Sequence, residues 1–283
     1  MTNISNSTNN SANNNISNYI NWGFVCIFVI LTLLMKFGII PDNQMMQFIP
    51  MFVFAMIHGT QKYGKKNMMI WFVITWIVSN FFEGLSIAMG FPFGNYHYTV
   101  GLAFSIWKVP VLIMISYFAI VYFSWITALA VTSHLNKKIE GIYKIIIPIT
   151  AAVVMAMWDL VTDPQASTIN GTWIWEDGGV YFGVPISNFI GWVFVVYVFL
   201  QIYTLYISFR EVKSENVSLT SKKSYWIQPC IVYLFMGLGI VIDGIIKTKN
   251  IEIYASMGMI SFFTMVFIAY IAFLNIKNSK ELS

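Results

Sequence analysis

Charged residues are scarce in this 283-residue chain. Asp, Glu, Lys and Arg together make up 10% of it, where a soluble domain carries about 25%. That is too little polar surface to wet a globule, so the 58% of hydrophobic residues must face something other than water. Cysteine is scarcer still. Cys26 and Cys230 each lie inside an apolar run, which points to neither a disulfide nor a metal site. HExxH, paired CxxC, the Walker loop and a helix-opening GxGxxG are all missing, and with them the usual zinc, P-loop and dinucleotide chemistries. The modest formal charge of +4 comes from lysines in loops. It reads as a topology signal, not as nucleic-acid binding.

Apolar runs are what the chain has in plenty. They fall at about 19–40, 45–61, 67–90, 102–132, 142–163, 188–210, 225–246 and 253–276, and several approach the roughly 20 residues that cross a bilayer as a helix. The expectation is an all-α, polytopic cell-membrane protein of about seven to eight transmembrane helices. One membrane domain covers 19–276 and has the lipid bilayer as its partner. The run at 45–61 is short and interrupted by Pro50, so it is either re-entrant or spanning. Residues 1–18 form an uncharged Asn/Ser tract expected to be disordered. It lacks a basic n-region, so the first apolar run is expected to be retained as a span. Residues 277–283 are a short basic and polar tail.

Lysine and arginine fix the expected orientation. If all eight runs cross, twelve basic residues share one side and four (Lys36, Lys108, Lys247 and Lys249) the other. The C-terminus is then cytoplasmic. The loops at 91–101 and 164–187 face outward whether or not the second run crosses.

Those two loops resemble each other. Gly94-Asn-Tyr96-His-Tyr98 matches Gly171-Thr-Trp173-Ile-Trp175, and each loop then reaches a Val-Pro, at 109–110 and 184–185, where a helix can start. A carboxylate precedes each glycine by eight to twelve residues: Glu83 in one copy, Asp159 and Asp163 in the other. The pattern suggests a helix–loop–helix unit duplicated in the same orientation.

Ionisable groups within a bilayer are costly and usually functional. Asp159 and Asp163, four residues apart, share a helix face in the last turn before Pro164 stops that helix. Glu83 lies about two turns from the outer end of its run, Asp243 near the outer end of the seventh and Lys108 at the outer start of the fourth. Five charges from four runs thus converge at one depth, the outer third of the membrane. Taken singly, each reads as an interfacial ion pair or a cap. Period-two spacing puts Tyr96 and Tyr98 on one face of an extended segment and does the same for Trp173 and Trp175. These rings read either as a membrane-boundary belt or as a cavity wall. Gly178, Gly179 and Gly183 permit tight turns, so the second loop can fold back as a lid. His58 reads as a satisfied polar residue, His134 as loop, and His97 as a weak signal.

At these residues the chain resembles the integral-membrane carotenoid-biosynthesis family that includes carotenoid 1,2-hydratases such as bisanhydrobacterioruberin hydratase. The motif is Asp159…Asp163-Pro164…Gly171-x-Trp173-x-Trp175…Gly179-x-Tyr181-x-Gly183-x-Pro185-x-x-Asn188-x-x-Gly191-Trp192, with a second patch at Glu83…Gly90-x-Pro92-Phe93-Gly94-x-Tyr96-x-Tyr98. The resemblance implies cofactor-free addition of water to a terminal C=C of a carotenoid or polyprenyl chain. Such chemistry needs a proton donor, a stabilised tertiary cation and a delivered water. A carboxylic acid in an apolar site can stay protonated near neutral pH. Aromatic faces stabilise a cation, and an ionised carboxylate can deprotonate the water. Asp159 or Glu83 is then the acid and Asp163 the base. Tyr96, Tyr98, Trp173, Trp175, Tyr181 and Asn188 contact substrate, with Lys108 and Asp243 nearby. Two rivals stand beside this reading. One is a prenyltransferase using Asp159 and Asp163 for Mg²⁺–diphosphate, although one carboxylate pair with little basic charge is meagre for that. The other is a transporter relaying protons through the same carboxylates.

Overall fold

The computed structural model of the chain describes residues 2–43, 45–210 and 214–283, with side chains described from residue 15 onward and not at 45. The tail expected over residues 1–18 lies for the most part outside the described side chains. The helices in chain order are α1 (Thr2–Lys36), α2 (Met45–Tyr63), α3 (Lys65–Met89), α4 (Val111–Val131), α5 (Tyr143–Asp163), α6 (Ile186–Ser208), the short α7 (Val217–Thr220), α8 (Lys223–Ile246), α9 (Ile251–Ser261) and α10 (Phe267–Asn278). Strands β1 (Tyr96–Tyr98), β2 (Ser105–Ile106), β3 (Val109–Pro110) and β4 (Trp173–Trp175) lie in the two loops singled out above. Among the described residues, seven segments are long and apolar enough to cross a membrane: α1 from Asn15, α3, α4, α5 through Ile169, α6, α8, and the continuous stretch from α9 to α10. The fold is the expected all-α, multi-pass membrane bundle.

Helix α4 is the axis. Its residues from Ser116 to Ala130 are buried without interruption, and α2, α3, α5, α8 and α10 pack around it. A helix apolar on every side belongs inside a bundle. The outer helices instead show large apolar side chains to the surroundings, for example Ile77, Ile190, Phe263 and Phe267, as contact with lipid tails requires.

Pro164 does not end α5. The helix continues as a π turn over Pro164–Ile169. Proline has no N–H to give the carbonyl four residues back, and that carbonyl, on Leu160, accepts the Tyr181 hydroxyl instead, at 3.1 Å. Ser167 Oγ donates to the Asp163 carbonyl at 2.8 Å. Side chains that re-satisfy freed backbone groups are what allow such a break at membrane depth. The apolar run at 102–132 also overstates its helix. Residues Leu102–Phe104 form a 3₁₀ turn, and β2 and β3 pair as a hairpin across Trp107 and Lys108. Both of those residues have positive φ, 55° and 64°, as a two-residue hairpin with a primed turn demands. Helix α4 begins only after Pro110 and α6 only after Pro185, as the two Val-Pro pairs led us to expect.

Candidate functional site

The two resembling loops meet. Strand β1 pairs antiparallel with β4, with Tyr96 opposite Trp175, His97 opposite Ile174 and Tyr98 opposite Trp173. The register is reciprocal: each residue lies opposite the counterpart of its neighbour two positions along, and the central pair are counterparts of each other. Two copies related by a two-fold axis pair in this way. The ladder is extended by Thr99 N–H to the Thr172 carbonyl and Glu176 N–H to the Asn95 carbonyl, at 3.0 and 2.9 Å. His97 with Glu176 and Asn95 with Asp177 tie its outer surface. Alternation does the rest. Tyr96, Tyr98 and Trp175 are buried and Trp173 half-buried, all on the inner face, while His97 and Ile174 point outward.

Local sequence fixes the cover to the helix ends. Gly90 closes α3 in a left-handed conformation. Ser86 Oγ accepts from Phe93 N–H at 2.9 Å, and Ser187 Oγ donates to the Phe93 carbonyl at 2.8 Å. Gly191 is required where Phe93 and Pro92 press on α6: a Cβ there would meet Phe93 Cδ1 at 2.8 Å and the Pro92 carbonyl oxygen at 3.0 Å.

Beneath the cover the three predicted carboxylates come together. Glu83, on α3, is 4% exposed and accepts three phenolic hydroxyls: Tyr96 and Tyr98 at Oε2, the latter at 3.1 Å, and Tyr117 at Oε1 at 2.5 Å. Asp163, on α5, accepts the indole N–H of Trp173 at 2.9 Å and, more loosely, that of Trp175 at 3.4 Å. Asn188, at the start of α6, bridges the pair. Its amide nitrogen lies 2.8 Å from Asp159 Oδ2 and 2.7 Å from Asp163 Oδ2. Each loop thus sends its two inner rings to the carboxylate of its own unit, phenols in one copy and indoles in the other. Of the six carboxylate oxygens, only Oδ1 of Asp159 accepts no hydrogen bond among the described residues. Burial, and after it the Glu83 carboxylate, push the Tyr96 and Tyr98 phenols well above their ordinary range, so both remain O–H donors at working pH.

These groups line a cavity of about 410 Å³, toward the small end of the range for small-molecule pockets. Its walls are aromatic. Trp192 stacks on Tyr117 with ring centroids 4.6 Å apart and planes 7° from parallel, and meets Trp158 edge-on at 6.2 Å. Its mouth is charged. Lys36 and Lys247 border it, and Lys36 pairs with Asp243 at 2.6 Å and with Asp42 at 3.2 Å.

Asp243 therefore sits behind the rim, held by Lys36, and does not touch the carboxylate cluster. Lys108 is a correction. It is exposed at the tip of the β2–β3 hairpin and does not line the cavity, because the positive-φ turn carries it away from the helix end. Tyr181 also falls short of the lining. It braces the Leu160 carbonyl and packs edge-on against Phe189. Burial, and then Asp159, push its phenol up to about 12. His58 is a satisfied core residue: Nε2 faces the Tyr225 carbonyl at 2.9 Å, so it must donate, and Nδ1 then accepts from the Tyr122 hydroxyl at 2.5 Å.

Sequence reading missed Tyr117, Trp158 and Trp192 as wall residues. The signal was present. Tyr117 stands seven residues after Pro110 and Trp192 seven after Pro185, so aligning the repeats on their prolines pairs the two rings that stack.

Residues 42–264 match the sequence model of a family described as carotenoid biosynthesis protein, which is more than half of the chain. No curated protein and no solved structure matches.

Proposed function

The chain belongs to the carotenoid biosynthesis protein family, and from that premise we propose that it adds water to the terminal C=C of a long lipophilic isoprenoid, giving a tertiary alcohol. The observation that carries this reading is the unengaged Oδ1 of Asp159, which sits on a cavity-lining residue among the aromatic walls. Asp163 accepts N–H bonds at both oxygens. Indole and amide N–H groups only donate, so that carboxyl is bound as an acceptor, which suits a carboxylate. Asp159 has one oxygen free to carry a proton. The acid is therefore Asp159 and the base Asp163. Glu83, whose phenolic partners can donate or accept, anchors the cover and stands as the second acid candidate.

In this scheme Asp159 gives its proton to the CH carbon of the alkene. A C–H bond forms as the π bond breaks, and positive charge is left on the dimethyl carbon. The rings of Trp158, Trp192 and Tyr117 line the same cavity, and a desolvated cation–ring contact contributes about 2 kcal/mol or more. Water forms the C–O bond and gives its proton to Asp163. Return of that proton to Asp159 restores the site, and the balance is one water added. A cavity this size admits the head of the substrate while its tail stays in lipid, and water enters through the charged mouth. The bridging Asn188 amide argues against a Mg²⁺–diphosphate site, because it puts a donor between Asp159 and Asp163 where a cation would need to sit.

Asp159→Asn tests the assignment. In cells that make candidate polyenes, the wild-type chain should yield a product heavier by one water. The variant should lose about 10²–10⁴-fold in rate, as removal of a general acid does, while still purifying as a folded protein. Undiminished turnover would rule Asp159 out.

A further inference from the structure

A second cavity, of about 620 Å³, lies at the other end of the bundle. Helices α4 and α6 both start at the carboxylate cavity, with Ile113 and Asn188, and both end at this one, with Leu129 and Ile207. Along α4 the nine residues from Ile120 to Leu129, about 14 Å at 1.5 Å per residue, separate the two linings. The chemistry is inverted. Lys62, Lys137, Lys138 and Arg210 line it, and no carboxylate does among the described residues. Lys137 and Lys138 have carboxylate partners beyond the lining, in Glu281 and Glu140. Lys62 and Arg210 have none among the described residues. Lys62 is held by neutral groups, with Nζ donating to Asn136 Oδ1 at 2.9 Å and standing 4.9 Å from the Trp226 ring centre. Asn136 is itself fixed by a 2.7 Å bond to the Thr220 carbonyl and has positive φ, 56°, an uncommon conformation outside glycine. Arg210 lies 4.9 Å from the ring centre of Tyr206. Among the described residues, the lining thus holds two cations in place with no carboxylate against them.

We infer that this cavity binds a phosphate-bearing anion, supplied by a lipid headgroup or as soluble phosphate. Exposed apolar residues beside it, Phe209 at 79% and Val217 at 67%, are placed to meet acyl chains and favour the lipid source. Basic pockets between membrane helices commonly hold anionic headgroups. The inference stands independently of the hydration chemistry.

The test is native mass spectrometry of the purified full chain, titrated with phosphatidylglycerol, phosphatidylcholine and inorganic phosphate. Phosphatidylglycerol should bind at least tenfold more tightly than phosphatidylcholine. Lys62→Gln and Arg210→Gln should each weaken it about fivefold, the effect of one cation near a membrane surface. Lys65→Gln, at the same end but outside the lining, should leave binding unchanged. Arg210 is exposed, so its variant keeps the test valid if Lys62→Gln fails to fold. Displacement of the lipid by inorganic phosphate would assign the site to soluble phosphate, and its retention would assign it to the headgroup. Equal affinity for the two lipids without phosphate binding, or equal losses from Lys65→Gln and Arg210→Gln, would overturn the inference.

Discussion

At the scale of single residues, the carboxylate cluster is organised by unequal hydrogen bonding of like groups. Three buried carboxyls differ little in composition, and their partners set them apart: three phenols on Glu83, two indoles and an amide on Asp163, one amide on Asp159. Asn188 matters most to that division because a single side chain serves both aspartates. Asn188→Leu, of similar size but without donors, leaves two buried acceptor oxygens short of a partner. A buried group left unsatisfied costs on the order of 1–3 kcal/mol. The variant should therefore melt at a lower temperature in detergent and lose activity, whereas Ile113→Leu at the matching position of the other repeat should do neither. Equal melting of Asn188→Leu and wild type would mean that the amide does not hold the pair. The sequence made Asn188 legible only through the family motif. An isolated Asn at a helix start carries no signal of its own beyond capping.

At the scale of elements, what could be read depended on periodicity. Tyr96-His-Tyr98 and Trp173-Ile-Trp175 were legible as one-sided segments because alternation survives at three residues. That the two would pair with each other was not, since pairing is a long-range event that neither loop encodes alone. Lys108 was misplaced because apolar Leu102, Phe104, Ile106 and Trp107 extend the hydropathy of α4 through a hairpin that is not helix. Tyr117 stayed hidden in a helix that is apolar all round, where one phenol gives no contrast between faces. The paired loops make a direct prediction. His97 and Ile174 are directly opposite and outward, and such Cα atoms stand about 4.5–5.5 Å apart, within disulfide range. His97→Cys with Ile174→Cys, in a chain with Cys26 and Cys230 changed to Ser, should oxidise to an intramolecular cross-link. It would hold the fragments together after cleavage at a protease site engineered into the 132–142 loop. Separation of the fragments under oxidising conditions would mean that the strands do not meet. If the cross-linked protein keeps its turnover, the sheet is a fixed cover. If it loses turnover reversibly with reductant, the cover must lift for substrate to enter.

At the scale of the whole molecule, α2 is not among the seven segments long and apolar enough to cross a membrane, yet it touches both cavities. Helix α2 begins where Phe48 lines the carboxylate cavity and ends where Lys62 and Tyr63 line the basic one. Its 19 residues reach about 28 Å, so it runs the length of the bundle despite Pro50. With α2 counted, the expected charge division reappears in space. Lys36 and Lys247 stand at the carboxylate end, and Lys62, Lys137, Lys138 and Arg210 at the basic end. Lysine and arginine gather on the cytoplasmic side, and on that rule we propose that the β1–β4 cover faces outward. That arrangement suits the proposed chemistry, because the cover and the charged mouth then draw water from the outer interface while the isoprenoid tail stays among the lipid-facing helices. Single cysteines in a chain lacking the native two provide the check. Ile174→Cys should react with a membrane-impermeant maleimide in intact cells, and Lys222→Cys, at the start of α8, only after the membrane is opened. The reverse pattern would put the cover and its carboxylates at the cytoplasmic face, and water and any polar cosubstrate would then have to be drawn from the cytosol.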